Sequence, residues 1–285
     1  MLSVIIPCYN GAETIGLQLE ALADQQWSGP WEIVVVDNFS TDHSRSVVKQ
    51  YQEKLQNLRL VDAFAQQGQP YACNVGVQAA RGELLAFCDA DDEIGPGWVA
   101  AMGEALSRYG LVAGRLDSEK LNEKWVQESR NSAQQMGLQQ FYPPYLPYAA
   151  GANFGVKRAL YEIVGGFDES LPVVEDIDFI WRVQLTGTSI HFVPESVVHY
   201  RYRDTLSGIY RQALSYGESH VLIYKRYRSM GMSKLPLRTG IKPWAIVLMR
   251  LLGIRDKTSY ARWLWMFGLR MGRFHGSIKH RVYAL

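Results

Sequence analysis

Apolar residues recur along the first ninety positions with two alternating periods. Ser3 to Pro7 is a short apolar run closed by proline, and the turn Cys8-Tyr9-Asn10-Gly11 follows it. From Glu13 to Gln26 the apolar positions Ile15, Leu19 and Leu22 fall on one helical face. Trp31 to Val36 is a β-branched run that stops at Asp37-Asn38, and Leu58 to Val61 is a shorter one. Between them Ser40-Thr41-Asp42 reads as a helix start, with Val47, Val48 and Tyr51 along one face. Gly68 to Ala80 predicts a turn and helix, and Gly82 to Cys88 another strand. Strands alternating with helices predict an α/β fold with a mostly parallel sheet covered on both faces.

Farther on the pattern loosens. Residues 117–148 carry Pro143, Pro144 and Pro147 among Tyr142, Tyr145 and Tyr148, and read as a long loop. Gly165-Gly166-Phe167-Asp168-Glu169 reads as a turn. A helix is expected from Glu175 to Leu185, capped at Gly187, with Phe179 and Trp181 in the core. Ser189–Val193 and Ser196–Tyr200 look like two short strands. From about residue 206 the chain reads as helical.

Composition adds little, but charge adds an asymmetry. Apolar content of 47% and charged content of 20% are those of a globular protein. Residues 1–205 carry 15 basic and 26 acidic groups, a net of −11, whereas residues 206–285 carry 15 basic and only 2 acidic groups, a net of +13. A basic extension on an acidic body points to an anionic partner. No apolar run approaches the roughly 18 residues of a membrane span, and the first residues lack a basic leader. Tyr260 to Ile278 mixes Trp263, Trp265 and Phe267 with arginines, which suits a helix lying on an anionic membrane surface or packed on protein. Nucleic acid is not expected, because no binding module accompanies the charge. Cys8, Cys73 and Cys88 form no framework of pairs, so a reducing, cytoplasmic setting is the simplest expectation.

The candidate chemistry lies at the ends of the predicted strands. Asp89-Ala90-Asp91-Asp92 directly follows the apolar run Leu84–Cys88. Carboxylates there must reach the sheet edge or hold a cation, and oxygen donors suit Mg²⁺ or Mn²⁺. In open α/β sheets ligands bind beyond the carboxyl ends of the strands. Cys8-Tyr9-Asn10, Asp37-Asn38 and Asp89–Asp92 converge on that edge.

In order and spacing these residues resemble the inverting glycosyltransferases of family two, with the GT-A fold. The matching pieces are Val4–Asn10, Ile33–Asp42, Asn74-Val75-Gly76, Ala79–Glu83, the DADD run, Gly165–Glu169 and Glu175-Asp176. The resemblance covers roughly residues 2–205. It implies a Rossmann-like, mostly parallel sheet flanked by helices, with a helical C-terminal extension. Residues 1–110 would form the nucleotide-sugar half of one domain, 111–205 its acceptor half, and 206–285 a basic amphipathic extension. It implies nucleotide contacts from Pro7, Tyr9, Asn10, Asp37, Asn74 and Asp89, with Asp37 accepting from the ring imide of the base. Asp91 and His199 would bind the divalent ion, Asp176 would be the catalytic base, and Glu175 and Asp178 would face acceptor or sugar. The implied partners are a UDP, dTDP or GDP sugar and a glycan or lipid-linked acceptor, with a homodimer left open. Where the family often has arginine after Ala72, this chain has Cys73. That departure leaves the identity of the base open. The Gln-x-x-Arg-Trp motif of processive synthases is absent, so one sugar per encounter is expected. The alternatives are a catalytically silent nucleotide- or glycan-binding subunit and a sugar-phosphate nucleotidyltransferase.

Overall fold

A computed structural model describes residues 1–130, 134–171, 173–236 and 240–284. The chain divides into two compact units. The first comprises Met1–Lys120, Ala133–Gln139 and Pro147–Arg201, and the second Leu121–Ser132, Gln140–Leu146 and Tyr202–Leu285.

In the first unit β1 (Leu2–Cys8), α1 (Ile15–Ala23), β2 (Trp31–Asp37), α2 (Ser44–Lys54), β3 (Leu58–Asp62), α3 (Gln69–Ala79) and β4 (Leu84–Phe87) alternate as the periodicity predicts. The strands β1 to β4 are parallel, with Val4 opposite Ile33 on one side and Ala86 on the other. Both faces of β1 and β2 are buried, which is why they read as unbroken β-branched runs. Gly76 lets α3 approach this sheet, since a Cβ there would stand 2.7 Å from Ile5 Cγ2 and 2.8 Å from Val36 Cγ2. The chain runs from β1 outward through β2 to β3, then returns to the other side of β1 as β4. This reversal opens a crevice at the carboxyl ends of β1 and β4.

Beyond it come β5 (Glu93–Ile94), α4 (Trp98–Arg108) and β6 (Leu111–Asp117), which the pattern reading left unassigned. The loop expected over 117–148 contains a short helix, α5 (Lys124–Ser129), and a bridge between Gln139 and Tyr148; residues 131–133 of it lie outside the described residues. Then follow β7 (Phe154–Lys157), α6 (Arg158–Ile163), α7 (Glu175–Leu185) and β8 (Ile190–His199). The two strands expected over 189–200 are this single strand. Its pairing with β6 shifts register between Gly114 and Arg115, which explains the break in the apolar pattern. The sheet order is β3-β2-β1-β4-β7-β6-β8-β5, with β7 and β5 antiparallel to their neighbours.

The second unit is helical: α5, α8 (Leu206–Tyr227), α9 (Ile241–Leu251) and α10 (Lys257–Lys279). α10 begins with a full capping box between Asp256 and Ser259. It lies against α8 along Gly268, Gly272 and Gly276, where a Cβ on Gly272 would collide with Leu214 O. The two tryptophans expected at a membrane surface are engaged inside this unit. Trp263 donates its Nε1 to Val247 O at 3.0 Å and stacks on Phe267 at 4.9 Å. Trp265 lies under the Arg130 guanidinium at 3.6 Å, with its edge toward Tyr216. Among the described residues no helix is long and apolar enough to cross a membrane.

Candidate active site

The crevice is a small recess at the carboxyl ends of β1 and β4. Pro7 closes one side, and Cys88 and Asp89 continue from β4. Gln69 and Cys73 of α3 line it, as do Gly151, Glu175 and Asp176. Its floor is aromatic, with Phe87 stacked on Phe154 at 4.7 Å and meeting the ring of Phe167 edge-on. Polar groups thus face one another above an apolar base, the usual makeup of a small-molecule site.

Asp89, Asp91 and Asp92 stand together, each with a ligand atom within 4.8 Å of the others. The turn carrying them is tied from two sides. Gln18, buried on α1, donates Nε2 to Asp89 O at 3.1 Å and accepts from Ile94 N at 2.9 Å. Arg201 donates its backbone N–H to Asp92 Oδ1 at 2.7 Å and its Nε to Asp91 O at 2.8 Å. Gln69 donates to Asp89 Oδ1 at 3.0 Å. Asp92 Oδ2 remains buried without a hydrogen-bond partner. Burial and the charges of Asp89 and Asp91 push the Asp92 carboxyl well above the usual carboxylate range. Three crowded carboxylates with an unsatisfied buried oxygen fit a hard divalent cation, which would relieve both the repulsion and the orphaned acceptor.

Asp176 occupies the first turn of α7, where the helix dipole favours negative charge. Its Oδ2 accepts from Gly151 N at 2.8 Å and its Oδ1 from Ile177 N at 2.7 Å. Burial outweighs these bonds and pushes its pKa up to about 6. Glu175 is buried beside it with Oε2 unpartnered, and burial together with Asp176 raises its carboxyl further.

Asp37 ends β2 and is almost fully buried. Its Oδ2 receives Arg45 Nη1 at 2.8 Å, while Oδ1 has no partner. Arg45 also reaches Asp62 and lies over the Phe64 ring, and exposed Phe39 packs against Phe64 at 5.4 Å.

The other residues singled out in the sequence take different places. Tyr9 is exposed, and Asn10 accepts from Thr41 N at 2.8 Å in a left-handed conformation (φ 49°), tying two loops at the strand ends. Asn74 is engaged with the glycine turn: its Oδ1 accepts from Phe167 N at 2.9 Å and from the Tyr161 hydroxyl, and its Nδ2 donates to Phe167 O. Asp178 does not face the recess. It is completely buried and accepts from Arg182 Nε at 2.7 Å, and the same guanidinium donates to Val164 O and Gly166 O. The helical spacing that puts Asp176 at the recess turns Asp178 inward. His199 stands outside the carboxylate group, its Nδ1 3.8 Å from Asp117.

The model for glycosyl transferase family 2 matches residues 3–165, more than half of the sequence. The chain belongs to this family. The model for glycosyl transferase family group 2 matches residues 89–272. Glycosyltransferase AglE from Haloferax volcanii is 29% identical over 198 residues, 68% of this chain and 65% of that protein. The uncharacterized glycosyltransferase YibD from Escherichia coli is 37% identical over 124 residues, 44% of this chain and 34% of that protein. The chain thus spans less than two thirds of either relative. The mannosyltransferase PcManGT from Pyrobaculum calidifontis, solved with GDP-Man and Mn2+, shares the fold at 20% identity. Its TM-score is 0.65, over 96% of this chain and 86% of that one. S. aureus TarS 1-349 with UDP-GlcNAc superposes with a TM-score of 0.56 at 20% identity, covering 100% and 93%. Family membership and these neighbours together give the chain the GT-A fold of glycosyl transferase family 2.

Within this family member, three side chains at the recess or bracing the acidic turn beside it were not legible as site residues. Gln69 follows Gly68 at a helix start, Gln18 sits mid-helix among apolar positions, and Arg201 lies 110 residues from Asp91. Only Gln18 left a trace in the sequence, as a buried amide on an otherwise apolar face.

Proposed function

We propose that this chain is a non-processive, metal-dependent, inverting glycosyltransferase. It moves one sugar from a nucleotide-diphosphate donor to a glycan or lipid-linked acceptor. The observation that supports this most is that the carboxylate triplet after β4 reaches, through Asp89, the same recess that Asp176 lines from the head of α7. In this reading residues 1–110 hold the donor and residues 111–205 meet the acceptor.

Asp89, Asp91 and Asp92 would hold Mn²⁺ or Mg²⁺, with His199 on the neighbouring strand as a further candidate ligand. Bound there, a divalent ion would supply positive charge to the diphosphate leaving group. Asp37 Oδ1 accepts an imide N–H of the base, and the arene pair Phe39/Phe64 stands beside it. Pro7, Tyr9 and Asn10 frame the same strand ends, and Asn74 sets the turn that brings Phe167 to the floor. The acceptor hydroxyl gives its proton to Asp176 as its oxygen bonds to the anomeric carbon from the face opposite the diphosphate. One displacement inverts the centre, and no second nucleophile is required. Glu175, whose carboxyl is pushed up by burial and by Asp176, lines the same recess and faces sugar or acceptor. The neighbours that bind GDP-Man with Mn2+ and UDP-GlcNAc support a nucleotide-sugar donor and leave uracil, thymine and guanine open. The basic extension supports a peripheral location on an anionic inner membrane face, where lipid-linked acceptors reside.

Release of nucleoside diphosphate from UDP-glucose, UDP-N-acetylglucosamine, dTDP-rhamnose and GDP-mannose tests the proposal. At least one donor should turn over with Mn²⁺ and stop with excess EDTA. Asp176→Asn should lower kcat by about 10²–10⁴-fold with little change in donor affinity. A donor that binds but is never consumed would instead mark a silent binding subunit.

A further inference from the structure

The helix α9, Ile241–Leu251, is apolar apart from Lys242 and Arg250. Among the described residues, protein covers one side of it. Val247 is buried and its carbonyl takes Trp263 Nε1, while Trp244 meets the edge of Phe267 at 6.3 Å. The opposite stripe stands open. Leu248 and Met249 are each 64% exposed and Leu252 is 90% exposed, with Ile246 and Leu251 beside them. Positions 245, 248, 249 and 252 follow the three- and four-residue spacing of a single helical face. Single exposed leucines need no explanation, but a contiguous stripe on one short helix does.

Charge decides what covers it. Residues 241–255 contain Lys242, Arg250 and Arg255 and no acidic group. All three are exposed, and none pairs with a carboxylate among the described residues. A second copy packed on this face would set the three basic groups of one segment against the three of the other, which repel. An anionic lipid surface offers the complementary charge together with an apolar layer for the stripe. At eleven residues α9 is too short to span a bilayer but long enough to lie in its interface. We propose that α9 is the element that docks this enzyme on an anionic membrane, with Ile246, Leu248, Met249 and Leu252 in the acyl boundary and the basic residues at the headgroups. Trp263 and Trp265, engaged inside their own unit, are not the anchors. The inference rests on the peripheral-membrane reading above and names its contact surface.

Co-sedimentation with vesicles of 30% phosphatidylglycerol in phosphatidylcholine, against pure phosphatidylcholine, tests it on the full chain. The native protein should prefer the anionic vesicles, with binding weakened but not abolished by salt. The pair Leu248→Ser and Met249→Ser should reduce partitioning by at least about tenfold and leave the rest fully salt-sensitive. The pair Lys242→Gln and Arg250→Gln should reduce it by about fivefold per charge. Both pairs lie on exposed positions, so unchanged melting and donor turnover would confirm that the fold is intact. If the native protein binds and both variants bind equally well, α9 is overturned while peripheral location survives. If the native protein ignores anionic vesicles at low salt, the peripheral reading itself fails and the transferase reading is untouched. A self-association in sedimentation velocity that Leu248→Ser and Met249→Ser abolish would make a second copy the occupant and overturn the lipid.

Discussion

Asp176 carries opposing demands in one side chain. Two backbone N–H groups and a helix N-terminus favour its charge, yet burial wins and lifts its pKa to about 6. A base must be unprotonated to accept the acceptor's proton, so turnover should fall about tenfold per unit as pH drops below about 6. Asp176→Asn should remove that acidic limb along with most activity. The same shift predicts stability. A carboxyl whose folded pKa lies above its unfolded value favours folding when protonated, and that contribution is lost as pH rises through about 6. Asp176→Asn loses one of the two accepted bonds, so the readout is the pH dependence: Tm of the native chain should fall more between pH 5 and pH 7.5 than Tm of the variant does. An unchanged acidic limb in the variant would remove Asp176 from the role. Asp37, the DADD run and Glu175-Asp176 stood out in the sequence because carboxylates at the ends of apolar runs cannot be ignored. Gln18 and Arg201 did not stand out, because their partners are 71 and 110 residues away and no local period encodes such pairs. Asp178 and Asp176 looked alike on paper; helical geometry turns one inward onto Arg182 and the other toward the recess.

At the scale of elements, β1 to β4 and their helices were legible because they are long, doubly buried and bounded by polar strand ends. The later half was not. β5 is two residues long, β7 four, and β6 is interrupted by a register shift at Gly114. α5 lies in a segment rich in proline and tyrosine that hides a six-residue helix. α8 and α10 read correctly as helices, but their contact did not read from composition. It depends on glycines that let the two backbones touch. Gly272→Leu would push Leu214 O away and separate the helices. Overpacking of this kind typically costs about 1–3 kcal/mol or more, so a clear loss of Tm is expected. Nucleoside diphosphate affinity should be retained, since the described residues that line the recess belong to the first unit. Full thermal stability in the variant would show that the glycine contact is dispensable.

For the whole molecule, the charge asymmetry of the chain follows its function as proposed. The acidic portion concentrates carboxylates where a cation and a diphosphate would meet, and the basic portion presents lysines and arginines beside an apolar helix. The acidic recess on its own would repel a diphosphate. In the proposed function, donor binding therefore requires a divalent ion held by Asp89, Asp91 and Asp92. Calorimetric titration of UDP and of GDP, each with and without Mn²⁺, into the native chain and into Asp91→Asn tests this most directly. At least one nucleotide should bind tightly with Mn²⁺, lose at least about tenfold in affinity without it, and show no Mn²⁺ enhancement in Asp91→Asn. Equal affinity with and without the ion, or an Asp91→Asn variant that binds as the native chain does, would contradict it.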